Sequence, residues 1–519
     1  MTITMADRSG AGPALPARAL LPLLVALACA PASAELKFIP GVTLTETWTD
    51  NVNLAEPALA RREWITDLAP SFALVENNRR LQLNASYQFH VYNYSDKTAP
   101  NIYDNNRQLQ ANLKARVVDE LLFLDAAAMR GQQAISAFAP QVEGAPYSSF
   151  NRTEVSTWRV SPYLAHRLGG GTDLMLRYTR DSVQTNQQGY GNTHADSVTA
   201  SASSRPGVRL GWNLRYDRQH LVDKLAGDSV STNEMAGLSY RVQPSLAVRA
   251  AIGHDNYDYH ALGGRSGGGN WNIGFDWTPS PRTSLSASTG HRYYGQSHAL
   301  NALHRSRHTV WSFNYDEAVT TTRSQFLLPA TIDTADLLDR LFMPNIPDPV
   351  ARRQAVEAYL RATGLPASLA ENVNYLSNRY MLQKQFQASA GFNGAHSMLL
   401  LSLFDTRRTA LSLQQTDSQL LGSHLSNLND DVRMKGAAAN FNYSLSSRSQ
   451  ASVSLTSSRS NSLSTGLKQD NRALRVGLSR RFQRKLYGSV EARHAKGTAI
   501  GGGRTYTENA VSASLSLTL

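Results

Sequence analysis

LQLNASYQFHV, Leu81 to Val91, alternates along its whole length: Leu81, Leu83, Ala85, Tyr87, Phe89 and Val91 are apolar or aromatic, and Gln82, Asn84, Ser86, Gln88 and His90 are polar. Successive side chains of a strand point to opposite faces, so this segment separates an apolar environment from a wet one. The pattern returns at Leu109–Val117, Val208–Tyr216, Trp271–Trp277, Ala437–Leu445 and Val511–Leu519. Each of these reads as a strand with one face in each environment.

The connections follow a rule of their own. Short turns fall near Asn77, Asp119, Gly169, Pro206, Gln243 and Ser280, at spacings of 42, 50, 37, 37 and 37 residues, and recur near Asn393, Ser447 and Gln483. Between them lie longer polar segments such as Tyr94–Asn105, Gly131–Phe150 and Asp181–Thr193. Short turns at one end and long loops at the other mark a transmembrane barrel with periplasmic turns; a soluble sandwich has no such asymmetry. Counting upward from Leu36–Trp48 and ending downward on Thr505–Leu519 gives 22 strands, within a range of about 18 to 24, provided that a short extra hairpin lies around Ser297–His304. The expected fold is all-β: a transmembrane antiparallel barrel with both termini in the periplasm. Trp48, Trp64, Trp158, Trp271, Trp277 and Trp311 fall at or near strand ends, where amphipathic rings favour the interfacial zones.

One segment breaks the alternation. Glu317–Asn378 holds DTADLLDRLF (Asp333–Phe342) and PDPVARRQAVEAYLRATGL (Pro347–Leu365). In the second, Val356, Tyr359 and Leu360 have helical spacing, a proline opens the run, and Gly364 with Pro366 closes it. Residues 317–378 are therefore expected to form a helical insertion, either outside the cell or folded back into the lumen as a plug or gate.

Composition fixes the compartment. A mean hydropathy of −0.35 excludes a polytopic helical membrane protein, while half of every barrel strand is polar in any case. Arg8 and Arg18, the apolar stretch Ala19–Ala30 and the small residues Ala32-Ser33-Ala34 read as a signal peptide over residues 1–34, cleaved after Ala34. The barrel domain then runs from 35 to 519. The one cysteine, Cys29, lies in the leader, which excludes a disulfide framework, a thiolate metal site and a cysteine nucleophile from the mature chain. The expected location is the outer membrane of a Gram-negative cell, with outer-membrane lipid, lipopolysaccharide and the barrel assembly machinery as partners. The net charge of +12 comes from scattered arginines; only RRFQRK (Arg480–Lys485) is dense, so nucleic acid is not expected.

No catalytic residues, cofactor or metal ligands are expected, and the chain does not read as an enzyme. His304 and His308 in HRSRH lack the glutamate of a zinc-protease helix. His194 and Asp196 form a chance loop dyad. Gly264, Ser266 and Gly268 match the spacing of a nucleophile elbow, but strands on both flanks replace the required strand-to-helix turn. The polar face of the strands says more. Lys114, Arg116, Arg177, Arg209, Arg215, Arg241, Arg249 and Arg475 all fall opposite the apolar positions and are expected to face the lumen, partly offset by Asp217 and Asp276. Charged rings of this kind set what passes a pore; the competing expectation is an arginine–acid ladder that packs the wall and carries no traffic.

FIPGVTLTETWTDNVNLA (Phe38–Ala55), RSQFLLPATIDTADLLDRLF (Arg323–Phe342), IPDPVARRQAVEAYLRATGLP (Ile346–Pro366), NRYMLQKQFQASAGFNGAHSMLLLSLFDTRR (Asn378–Arg408) and the closing ENAVSASLSL (Glu508–Leu517) together resemble the PEP-CTERM system-associated outer membrane proteins. The resemblance spans the mature chain. It implies a barrel that accompanies exosortase and exopolysaccharide genes; taken with the strand pattern and the basic inward residues, the expected function is a pore or export component for an anionic exopolysaccharide. The alternatives are a non-conducting surface scaffold for matrix assembly and, remotely, an outer-membrane hydrolase.

Overall fold

The computed structural model describes residues 36–519 except 97–104, 141–150, 226, 259–265, 328–333, 344–374 apart from Arg352 and Val356, 414–416, 422–424 and 500–503. The signal-peptide assignment and most of the Pro347–Leu365 helix lie outside the described residues.

The strands are β1 (Lys37–Thr49), β2 (Glu63–Asn77), β3 (Leu81–Tyr94), β4 (Asn105–Val118), β5 (Leu122–Ala134), β6 (Arg152–Leu168), β7 (Thr172–Thr185), β8 (Thr193–Ser204), β9 (Leu210–Asp223), β10 (Gly227–Gln243) and β11 (Leu246–Tyr257). The second half continues with β12 (Gly267–Ser280), β13 (Thr283–Arg292), β14 (Gly295–Arg305), β15 (Thr309–Thr320), β16 (Met381–Asn393), β17 (Ser397–Ala410), β18 (Asp431–Ser446), β19 (Ser449–Ser462), β20 (Lys468–Arg481), β21 (Leu486–Thr498) and β22 (Thr505–Thr518). Neighbours in sequence pair antiparallel, and β1 closes on β22 from Gly41 opposite Thr518 to Thr49 opposite Ala510. Closure leaves no free edge, which is what lets strands cross a bilayer.

The 22 strands match the count expected from parity. The extra hairpin is real, but β14 spans Gly295–Arg305, with one tight turn at Tyr293–Tyr294 and another at Ser306–His308. Gly295 takes a φ of 117°, open to glycine and strained for other residues. At one rim the connections have two to five residues; at the other they range from two to 60. Two of the segments read as loops are partly strand: β5 continues to Ala134 and β7 to Thr185.

The outward face carries the apolar positions. Leu174, Leu176, Leu214, Leu238, Ile252, Leu403, Leu455 and Val490 are all exposed on the barrel's outside, as a lipid-facing belt requires. Trp64 and Trp271 are exposed towards the long-loop rim, and Trp277 and Trp311 towards the short-turn rim, forming aromatic girdles. The barrel is thus of outer-membrane type.

The main core lies inside the barrel, on an apolar patch of the inward face of β15–β18. Val310, Met381, Met398, Leu400, Phe404, Val432 and Met434 form one cluster with residues of the insertion. Gly436 makes room for it, since a Cβ there would sit 2.2 Å from the Phe404 ring. A second cluster at the long-loop rim takes Val52 and Leu54 from the β1–β2 connection against Ile65, Tyr92 and Tyr506.

Candidate functional site

The described residues of the insertion between β15 and β16 lie inside the barrel. Its first helix, α1 (Thr322–Leu327), is short and begins with reciprocal caps: the Ser324 amide donates to Thr321 Oγ1 at 3.1 Å, and the Thr321 amide donates to Ser324 Oγ at 3.0 Å. This satisfies donors that a helix start leaves open. The second helix, α2 (Thr334–Phe342), places Leu337, Leu338 and Leu341 on one face. That face is buried against the apolar cluster on the inner side of β15–β18. At the far side of α2, Arg352 Nε donates to Asp339 Oδ1 at 2.8 Å, and Val356 joins the same core.

The two helices are held by different forces. α1 reaches the opposite wall, β6 and β7. Arg323 forms an ion pair with Asp181 of β7, both buried, and the Arg159 guanidinium of β6 donates to the Leu327 carbonyl. Gln325 Nε2 donates to Gln383 Oε1 at 2.7 Å, and Phe326 fits among Val155, Val183 and Leu376. Burial, together with the like charge of Arg159, lowers the Arg323 guanidinium to about 10, partly countered by Tyr380. It stays charged at neutral pH, so the latch is an ion pair there.

The chain returning to β16 is tied to the long-loop rim. The Leu376 amide donates to the Ile135 carbonyl at 3.1 Å, and Asn378 Nδ2 donates to the Gly189 carbonyl at 2.7 Å. Arg379, fully buried, pairs with Asp430 and, at 3.4 Å, with Asp417. Asp417 also accepts from Ser377 Oγ at 2.8 Å and Asn429 Nδ2 at 3.0 Å. Burial raises the Tyr190 and Tyr375 hydroxyls well above the usual tyrosine range, so both stay neutral.

Between α1 and the wall from β4 to β10 lies a polar cavity of about 1130 Å³. Lys114, Arg159, Arg177 and Arg323 line it together with Asp125, Asp181 and Asp217. The eight basic residues singled out in the sequence divide into groups. Lys114, Arg116 and Arg177 gather on neighbouring strands: Arg177 Nη1 meets Asp125 Oδ2 at 3.0 Å and its guanidinium lies 4.0 Å from the Tyr163 ring centre, while Arg116 sits opposite Phe123, whose ring stacks on Tyr163. Arg215 donates to Asp217 at 3.0 Å, and Arg249 meets Asp276 at 3.3 Å, on the same inward face. Arg475 stands across the barrel, opposite Arg493 of β21. Arg209 and Arg241 sit at the short-turn rim, donating to the Tyr240 hydroxyl at 2.8 Å and the Gly207 carbonyl at 2.9 Å.

Arg159, Asp181 and Arg323 were not singled out in the sequence. The alternation Arg177, Thr179, Asp181, Val183 carried the signal for Asp181, which the loop assignment of Asp181–Thr193 hid. The remaining candidates do not converge. His304 Nδ1 pairs with Thr283 Oγ1 at 2.9 Å, and His308 Nδ1 with the Asn393 carbonyl at 3.2 Å. Asp196 accepts from Tyr178 and pairs with Arg180. Ser266 precedes strand β12, and Gly264 lies outside the described residues. Among the described residues no group of three His, Cys, Asp or Glu side chains is placed to hold a metal.

No family model and no curated protein matches the chain. Solved structures do. The siderophore receptor PirA from Pseudomonas aeruginosa aligns over 93% of this chain and 80% of its own, at 8% identity and a TM-score of 0.44. PirA from Acinetobacter baumannii gives 93%, 80%, 8% and 0.45, and the FrpB iron transporter from Neisseria meningitidis gives 93%, 82%, 9% and 0.47. Likeness at this level is one of barrel architecture. These findings correct the resemblance to PEP-CTERM system-associated proteins: no family model supports it, and the structures that align are receptors and transporters for iron and siderophores. The exosortase association and the export of an anionic exopolysaccharide fall with it. The physical reason is visible in the quoted segments. Phe38–Ala55 is β1 with its loop and Glu508–Leu517 lies in β22, so their alternation is that of any barrel wall.

Proposed function

We propose that this barrel is a gated outer-membrane passage for small polar solutes, closed at rest by its own insertion. The observation that carries the reading is the ion pair of Arg323 with Asp181, which fastens α1 across the lumen beside a polar cavity of about 1130 Å³. Barrels of 22 strands are wide enough to conduct and are known with plugged lumens, so what fills the lumen decides the function. A small, capped helix held by polar contacts is a fitting gate, because such contacts exchange with water at low net cost. The inward Lys114, Arg116 and Arg177 favour anions over cations in the open state.

The test is conductance of the purified protein in a planar bilayer. The native barrel is expected to be mostly closed with brief openings. A variant in which residues 322–378 are replaced by a short glycine-serine turn is expected to show a steady, large conductance with anion preference. A replaced variant that folds, judged by its shift in gel mobility on boiling, but does not conduct overturns the reading.

A further inference from the structure

The outward face of β17–β21 carries a feature the lumen does not explain. Directly above the lipid-facing Leu403, Leu455 and Leu474, the register stacks charged side chains on five adjacent strands. Asp405 takes Arg433 at 2.7 Å and Lys435 at 3.5 Å, and Asp431 takes Arg407 at 2.6 Å. Asp470 takes Arg459. The three carboxylates are then engaged. Lys468, Arg472 and Lys496 remain exposed beside them, without an ion pair among the described residues. Arg472 lies directly opposite Lys496, and like charges facing each other across a ladder are destabilising unless an anion sits between them.

The opposite side of the barrel differs. Above the belt on β7–β11, Arg180 pairs with Asp196 and His220 with Asp228, and Arg218 shares the face with Glu234, so the described residues there carry no cationic surplus. The surplus on β17–β21 lies at the long-loop edge of the apolar belt, the level of the outer-leaflet head groups. Anionic head groups attract such clusters, and guanidinium forks fit phosphate oxygens.

We propose that the outward face of β17–β21 is a seat for the phosphate groups of one lipopolysaccharide molecule, held by Arg472, Lys496 and Lys468. The seat belongs to one side of the barrel, so it orients the protein among its lipids independently of whether the lumen conducts.

The test uses the full-length barrel in detergent with lipopolysaccharide and with its dephosphorylated form, binding being read by co-migration on native gels. The native protein is expected to retain the phosphorylated form at least tenfold better. Lys468→Gln with Arg472→Gln and Lys496→Gln is expected to abolish that preference, whereas Arg180→Gln with Arg218→Gln on the other wall is expected to keep it. Among the described residues the three seat residues make no ion pair, so the glutamine set is expected to fold, as the gel shift on boiling verifies. Equal retention of both lipid forms by the native protein, or equal loss from the two variant sets, overturns the proposal. Should the glutamine set not fold, single Arg472→Gln is read in its place, and an unchanged preference there overturns it too.

Discussion

The two inner walls that the insertion touches hold it by opposite means. Along β15–β18 an inward apolar cluster of Val310, Met381, Met398, Leu400, Phe404, Val432 and Met434 is met by Leu337, Leu338 and Leu341 of α2, each nearly inaccessible to water. Along β6 and β7 the inward face is largely charged or hydroxylic, with Val155 and Val183 among Arg159, Arg177, Thr179 and Asp181, and α1 meets it with one ion pair, one guanidinium-to-carbonyl bond and a single phenylalanine seated on the two valines. Apolar burial is non-directional and persists whenever the surfaces meet, whereas a polar contact is lost as soon as its geometry fails. One end of the insertion is therefore anchored, and the other is fastened by groups that water or a solute can replace. The same lumen contains a hinge side and a latch side.

The sharpest way to break this contrast is to remove one partner of the latch. Asp181→Asn leaves Arg323 charged and buried without its carboxylate, a change worth about 3–5 kcal/mol for a buried pair. The open fraction in bilayer recordings is expected to rise by at least a hundredfold, while the barrel keeps its resistance to unfolding in detergent. Adding Arg323→Gln removes the orphaned charge, so the double variant is expected to open less than Asp181→Asn alone. If the two variants and the native protein gate alike, the ion pair is not the latch.

Leu338→Ala addresses the anchored side. Deleting a fully buried leucine side chain costs about 2–5 kcal/mol, here taken from the docking of α2 rather than from the strand ladder. Amides of α2 are expected to exchange with solvent faster by a factor of ten or more, with those of β15–β18 unaffected. Openings should become longer instead of more frequent, because α2 no longer returns α1 to its seat. Global loss of heat resistance in this variant would mean that the cluster supports the wall itself and not the insertion.

Much of this contrast was hidden in the sequence, and the reasons differ by region. The strands were legible because alternation is a local property: Leu81–Val91 shows it without reference to any neighbour, and closure then fixes parity. The helix α2 was legible too, because Leu337, Leu338 and Leu341 recur at a helical period. α1 was not, since six residues are too few to display a period, and its formation depends on caps from Thr321 and Ser324 and on Asp181, 142 residues before its partner Arg323. The latch is a meeting of side chains from β6, β7 and the insertion, which only the closed barrel brings together. Arg209 and Arg241 show the converse limit: their parity is inward, but at the rim the side chains turn to Tyr240 and Gly207 instead.

The smallest effect expected is on selectivity, and it too separates the walls. Lys114 is exposed to the cavity on the latch side and contributes charge without contributing packing. Lys114→Gln should leave gating and stability unchanged and lower the anion-to-cation permeability ratio by about twofold or less at 0.1 M salt, where the screening length is about 10 Å. At 1 M salt that length falls to about 3 Å, so the difference from the native protein should vanish. Arg177→Gln is expected to act in the same direction but more strongly, since it also leaves Asp125 without its partner and so adds local negative field. Reversal potentials measured across a salt gradient read both variants. A change of equal size from Arg407→Gln, whose side chain lies on the outward face of β17, would show that the selectivity comes from the overall charge of the barrel and not from the polar wall beside the latch.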